Sequence, residues 1–142
     1  MASVKWSELY RWSLVEVEFG TPKKCVTDDF DCVDIAKNYI HEINTNNEFS
    51  YRHMAIVLSK NIRNSTITVV PLTEFKIGDE KNNFRVVLKA REYKNFLYKD
   101  TTILVDNIIT IEKKIRIKKI VLSWLPVPIR RKIQKAMISN FK

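Results

Sequence analysis

Two short runs of mostly aliphatic residues, 52–59 and 66–73, limit the possible folds of this chain more than any other feature. Both runs are rich in β-branched or bulky side chains, which favour strands, and only six residues separate them. That connection predicts a hairpin rather than a helix, so the ends of the two strands should meet in space. Because Arg52, His53 and Thr73 stand at those ends, the sequence predicts a basic, histidine-bearing site on adjacent strands.

The chain has the length and composition of one folded domain. Of its 142 residues 45% are hydrophobic, with only two glycines and four prolines, which argues against a disordered or low-complexity chain. We predict a single domain, 1–142. A domain of this size buries roughly 70% of the surface that its unfolded form exposes, so a hydrophobic core is available.

Signals for targeting, disulfides and metals are weak in this sequence. The N-terminus lacks the apolar stretch of a signal peptide and no apolar segment is long enough to span a membrane, which predicts a cytoplasmic protein. We expect Cys25 and Cys32 to be reduced thiols. Their spacing from His41 and His53 fits no common zinc pattern, so we expect no metal site and no other cofactor.

The net charge of +9 comes from one end of the chain. A basic C-terminal segment, 113–142, holds ten lysines or arginines and no acid, whereas 1–112 hold fifteen basic and sixteen acidic residues. Clustered cations attract polyanions because binding releases counterions, so nucleic acid is the first partner to consider. A solvated basic surface is the alternative, because a run of charge alone carries little specificity.

Hydrophobic periodicity predicts that most of the chain forms a β-barrel, with two helices beside it. Beyond the hairpin, strands are expected at 12–19, 84–88, 102–105 and 108–117.

The first predicted helix is short and lies near 31–43, within an acidic insert that spans 22–47, and a loop at 44–47 should follow it. The second lies near 129–141, behind a proline. We expect its apolar face to pack on the barrel, and Trp124 leaves contact with a membrane surface as the alternative.

Three blocks of the sequence, in the same order, carry a family resemblance: 46–58, 68–73 and 97–113. The first occupies the place of a loop with the pattern Gly-x-Glu-x-x-x-x-Arg-Pro and the aliphatic strand that follows it. The second is similar to a strand that ends in threonine, and the third to the pattern Asp-Gln-Ile-Arg-Thr-Ile-Asp-Lys. Together they resemble the MazF/PemK family of type II toxins, the mRNA interferases.

The resemblance implies an SH3-like barrel of the MazF/PemK/CcdB type. It also implies the toxin of a toxin-antitoxin system, usually a homodimer, which cleaves single-stranded RNA without a metal and is neutralised by an acidic antitoxin protein. In that reaction the ribose 2′-hydroxyl attacks the neighbouring phosphate. The enzyme therefore has to move protons and to stabilise charge on the phosphoryl oxygens.

The sequence departs from the family pattern at the candidate active site. A gapless count from Glu48 puts His53 where the family has its catalytic arginine, with Arg52 one residue earlier, and Asn46 replaces the loop glycine. We expect His53 to act as general acid/base, since histidine titrates near neutral pH. Arg52 would clamp a phosphate, and Thr73 would donate its hydroxyl to a phosphoryl oxygen.

Structural roles are the alternatives for the same three side chains: a histidine bonded to a main-chain carbonyl, a salt bridge between Arg52 and Glu48, and a threonine that forms a turn. Further polar and basic side chains near the hairpin and in the basic C-terminal segment are candidates for binding RNA. These are Ser59, Lys60, Arg63, Lys113, Lys114 and Arg116.

Two other functions remain open at this stage. A toxin of the same fold could act without catalysis, by inhibiting a partner as CcdB toxins do or by binding RNA without cutting it, and the residues at positions 46 and 53 favour this alternative. A basic peripheral membrane protein that acts through Trp124 and the last helix is the third hypothesis.

Overall fold

The structure is a computed structural model, and it describes residues 3–22, 43–44 and 52–140. This described part contains nine strands and two helices. The strands are β1 (Leu14–Glu18), β2 (Thr21–Pro22), β3 (Ile43–Asn44), β4 (Arg52–Val57), β5 (Thr66–Glu74), β6 (Arg85–Leu88), β7 (Thr101–Leu104), β8 (Ile109–Glu112) and β9 (Ile117–Leu122). The helices are α1 (Lys113–Arg116) and α2 (Val127–Asn140), and 3₁₀ turns lie at Trp6–Glu8 and Asp79–Lys81.

Seven of these strands form one antiparallel sheet in the order β6-β7-β5-β4-β1-β9, in which β8 also pairs with β5. The predicted hairpin is confirmed as β4 and β5, with Ala55 opposite Pro71, Ile56 opposite Val70 and Val57 opposite Val69. The strands predicted at 12–19, 84–88 and 102–105 are confirmed as β1, β6 and β7. β2 and β3 form a separate parallel pair.

β5 changes partner along its outer edge, and a proline lies at the change. β8 pairs with its first half, as far as Val69, and β7 pairs with its second half, from Leu72 onwards. The carbonyl of Thr68 accepts a hydrogen bond from the Leu58 amide. The backbone hydrogen-bonding groups of Thr68 and of every second residue after it therefore face β4, whereas those of Pro71 face the outer edge. The missing N–H of Pro71 therefore falls between the two ladders, where it removes no pairing.

β5 is also buried on both faces, and each face contributes to its own hydrophobic cluster. Ile67 and Val69 belong to the first cluster, together with Val15, Val17, Ala55, Val57, Ile111 and Ile117. Val70 and Leu72 belong to the second cluster, together with residues of β1, β4, β6, β7 and α2. Because side chains alternate along a strand, the register of β5 decides which residues reach each cluster.

Helix α2 covers the second cluster with Ile129, Ile133 and Ala136, all of them buried. Their spacing of four and three residues puts them on one face, and the predicted packing of this helix on the sheet is confirmed. The helix begins at Val127, and Pro128 fits its first turn because the amides of that turn have no partner within the helix. Within the described residues, no helix has both the length and the apolar character needed to cross a bilayer.

The single strand predicted at 108–117 is wrong, because the chain forms β8, turns through α1 and leaves as β9. The last hydrogen bond between the β5 and β8 segments runs from the Lys113 amide to the Ser65 carbonyl at 2.9 Å, and β9 then pairs with β1. Ile111 and Ile117 lie in the same cluster on either side of this break, so local periodicity did not reveal it. The helix predicted near 31–43 and the loop at 44–47 lie outside the described residues, except that β3 spans residues 43 and 44.

The buried carboxylate of Asp79 ties the turn after β5 to β6 and β7. It accepts hydrogen bonds from the Thr102 hydroxyl at 2.7 Å, the Lys76 amide at 2.8 Å and the Arg85 guanidinium at 2.9 Å. These donors hold the pKa of Asp79 below its ordinary value, with the Thr102 hydrogen bond as the largest cause, although burial acts in the opposite direction. Asp79 is therefore ionised in the folded protein.

We expect Asp79→Asn to destabilise the fold at neutral pH, where the carboxylate holds these three donors. Because folding lowers the pKa of Asp79, its contribution is complete above the unfolded-state pKa of about 3.9 and is lost as the pH falls through the lower folded-state pKa. Urea unfolding of both proteins at neutral and strongly acid pH measures this. Glu80→Gln, on the exposed neighbouring carboxylate, is the control. A difference from wild type that persisted undiminished in acid would contradict this role.

Candidate functional site

His53 and Thr73 line one groove, at the point where β4 starts and β5 ends. The register that pairs Ala55 with Pro71 puts residue 53 opposite residue 73 when it is continued by two residues, so both side chains leave the same face of the hairpin. The groove has a volume of about 330 Å³. It is lined by His53, Met54, Leu72, Thr73, Glu74, Leu97, Tyr98, Lys99 and Thr101.

The packing of β4 explains the position of His53. Alternation puts His53 on the same face as Ala55 and Val57, which are buried in the first cluster. The ring centroid of Phe19, at the end of β1, lies 6.3 Å from that of His53 with the rings tilted by 53°. His53 thus continues the row of buried apolar side chains on this face and stands at its end, beside the groove. Its side chain is half-buried there.

The second wall of the groove comes from the chain just before β7. β7 pairs with the end of β5, so Thr101 lies opposite Glu74 and brings Tyr98 and Lys99 to the rim. The Lys99 ammonium lies 3.3 Å from the Glu74 carboxylate, and both side chains are about two-thirds exposed. An exposed ion pair of this kind is weak, so the Lys99 cation is available to an anionic ligand.

Arg52 lies on the other side of the sheet from His53, as the alternation of β4 requires. Its guanidinium Nε lies 3.0 Å from the Glu16 carboxylate of β1 and lines a second groove of about 530 Å³. Lys118 and Lys119 of β9 line the same groove. The structure therefore brings His53 and Thr73 together and directs Arg52 to a separate basic surface.

The remaining candidate RNA-binding residues are distributed over other parts of the sheet. At the opposite end of β5, Arg63 and Lys114 line a third groove of about 470 Å³. The Ser59 hydroxyl accepts a hydrogen bond from the Thr68 amide at 2.8 Å, and Lys60 is exposed in the β4–β5 connection. Arg116 lies elsewhere, with its guanidinium donating to the Glu18 carbonyl at 3.4 Å.

Lys113 differs from its neighbour Lys114 because its side chain is buried. Its ammonium donates to the Ile62 carbonyl at 2.6 Å and lies 5.9 Å from the centre of the Trp6 ring. These contacts fasten the start of α1 to the β4–β5 connection. Lys113 therefore has a structural partner, whereas the side chain of Lys114 is exposed.

Sequence reasoning missed Glu16, Tyr98 and Lys99 as parts of these grooves. The local signal for Glu16 was its place in the alternating strand β1. Tyr98 and Lys99 lie just before β7, with Asp100 between them and its first residue, but their position beside Thr73 depends on the pairing of β5 with β7. That pairing joins segments far apart in the sequence.

Comparisons with known proteins identify the family and the fold. The family described as PemK-like, MazF-like toxins of type II toxin-antitoxin systems matches residues 39–140. Two solved structures with a similar fold are those of the Mycobacterium tuberculosis toxin MazF-mt6 and of a second Mtb toxin.

MazF-mt6 is 18% identical to this chain with a TM-score of 0.53, and the match spans 66% of this chain and 90% of the MazF-mt6 chain. The second Mtb toxin is 18% identical to this chain with a TM-score of 0.51, and the match spans 63% of this chain and 92% of that toxin's chain. At this identity the likeness concerns the fold, and it confirms the predicted MazF/PemK-type architecture. No curated protein sequence matched the chain.

The contrast between the two adjacent lysines predicts different effects on stability. Lys113→Met leaves the Ile62 carbonyl without its donor and should lower the free energy of unfolding by about 1–3 kcal/mol. Lys114→Met removes an exposed charge and should change it by about 0.5 kcal/mol or less. Urea unfolding at neutral pH measures both values. Equal effects of the two substitutions would contradict the structural role of Lys113.

Proposed function

This chain belongs to the family of PemK-like, MazF-like toxins of type II toxin-antitoxin systems, and we propose that it is a metal-independent endoribonuclease that cuts single-stranded RNA. Family membership implies an antitoxin as its partner. The observation that carries the proposed activity is the common groove of His53 and Thr73, because a proton-transfer group and a hydroxyl donor then face the same bound phosphodiester.

In the proposed reaction, neutral His53 accepts the proton of the ribose 2′-hydroxyl, whose oxygen attacks the adjacent phosphorus. The bond from phosphorus to the 5′-oxygen breaks, and the leaving oxygen takes a proton from water. Thr73 donates its hydroxyl to a phosphoryl oxygen, and Lys99 stabilises the developing negative charge from the rim. The products carry a 2′,3′-cyclic phosphate and a 5′-hydroxyl.

Arg52 has a different role in this proposal, which follows from its contact with Glu16. Its guanidinium, with Lys118 and Lys119 in the same groove, binds phosphates of the RNA strand that flank the cleaved bond. The Arg52–Glu16 pair, in which the arginine is exposed and the glutamate half-buried, contributes on the order of 1 kcal/mol or less, so a phosphate can compete for the guanidinium.

The partners follow from the same proposal. A basic chain of net charge +9 favours both RNA and an acidic antitoxin segment, and the two would compete for the same cationic surface. We further propose a homodimer, as the family resemblance implies, and a place of action in the cytoplasm.

One observation favours a second candidate function. Because Arg52 contacts Glu16 rather than the groove of His53 and Thr73, that groove has one cation fewer than the sequence predicted. Such a site would suit a toxin that binds RNA, or inhibits a protein partner, without cleavage. Growth arrest with intact cellular RNA would select this function, whereas rapid loss of message would select the nuclease.

Substitutions of His53 and Arg52 should affect different kinetic constants when the purified protein acts on single-stranded RNA in the presence of a chelator. His53→Ala should lower kcat by about 100- to 10,000-fold, since it removes the group that transfers the proton. Arg52→Ala should raise KM and reduce the slope of log affinity against log salt by about one, with kcat nearly unchanged.

Arg131→Ala is the matched control, because it removes an exposed cation from α2. Wild-type protein that leaves RNA intact in all sequence contexts would overturn the nuclease proposal. If His53→Ala cut as fast as wild type, the assignment of the groove would fail.

A further inference from the structure

Tyr98 is completely exposed at the rim of the groove that contains His53 and Thr73, with a relative exposure of 103%. The two residues before it, Phe96 and Leu97, are buried in the second hydrophobic cluster. An aromatic ring gains stability for a fold mainly by burying its surface. Exposure of the whole Tyr98 side chain therefore means that the fold gains almost nothing from this ring.

The backbone that carries Tyr98 is nevertheless fixed on both sides. Before it, the Leu97 amide donates to the Tyr93 carbonyl at 3.0 Å. After it, the backbone carbonyl of Asp100 accepts a hydrogen bond from the Phe75 amide at 3.1 Å. The carboxylate of Asp100 accepts another from the Ala90 amide at 2.9 Å. The backbone that carries this exposed ring is therefore already ordered and loses little conformational entropy when the ring binds a ligand.

We propose that Tyr98 is a stacking platform for an RNA base next to the phosphodiester held between His53 and Thr73. A flat aromatic face suits any base, and the exposed Lys99 beside it supplies a cation for the phosphate of the same nucleotide. The inference rests on the proposed function, because it assigns single-stranded nucleic acid to the same groove. It adds the residue that holds the base, while His53 and Thr73 act on the backbone.

The contrast with two other exposed aromatic rings, Tyr10 and Trp124, supports a ligand at Tyr98. Tyr10 and Trp124 stack on each other, with ring centroids 4.6 Å apart and planes 18° from parallel, and Arg130 lies over the Trp124 ring. Each of these rings thus already has a neighbour on its face. Trp124 is 55% exposed and does not line the groove of His53, so it offers a matched aromatic control.

The test measures binding of two uncleavable probes by fluorescence anisotropy. One is a short random-sequence 2′-O-methyl RNA, and the other is an abasic phosphodiester oligomer of equal length. Tyr98→Ala should bind the RNA roughly tenfold more weakly than wild type and the abasic oligomer equally well, because only the stacking contact is lost. Tyr98→Phe should bind both probes as wild type does, and so should Trp124→Ala.

Thermal unfolding of the same variants gives the check on folding, since replacing the exposed Tyr98 ring should leave Tm unchanged. Equal RNA binding by Tyr98→Ala and wild type would overturn the proposal, as would equal losses on both probes or no binding of either probe by wild type. If wild type cuts RNA but Tyr98→Ala binds it normally, only the platform fails. If wild type leaves RNA intact while the base-dependent loss persists, the nuclease proposal fails and the platform stands.

Discussion

The register of β5 against β4 is the constraint on which the rest of the structure depends. Val69 and Val70 are adjacent, yet they are buried in two different clusters, so a slip of one residue would exchange the faces of the whole strand. β8 and β7 pair with successive halves of the same strand and hold that register from the other edge. Continued by two residues, this register puts Thr73 opposite His53 at the open end of the hairpin.

The same alternation divides the functional surface in two. The side chain of His53 projects from the sheet face that carries the first hydrophobic cluster. The preceding residue, Arg52, projects from the opposite face and contacts Glu16. The proposed chemistry and the proposed binding of flanking phosphates therefore belong to different grooves, joined by one strand. Tyr98 adds a third element, which reaches the groove of His53 and Thr73 because β7 pairs with β5.

Those parts of the fold that depend on local pattern were predictable from the sequence, and those that depend on distant pairing were not. The β-branched runs predicted the hairpin and thereby the meeting of His53 with Thr73. The opposite direction of Arg52 follows from period-two alternation, but its contact with Glu16 required the pairing of β1 with β4. The break after β8 falls where its pairing with β5 ends, beside Ser65, and no local window contains both segments.

The most direct test of the account compares an RNA with a mapped cleavage site and the same RNA carrying a 2′-deoxynucleotide on the 5′ side of that bond, both digested in chelator. Attack by the 2′-hydroxyl predicts that the first RNA gives a 2′,3′-cyclic phosphate and a 5′-hydroxyl, and that the second remains uncut at that bond. Cleavage of the deoxy-substituted RNA at the same bond would contradict the account.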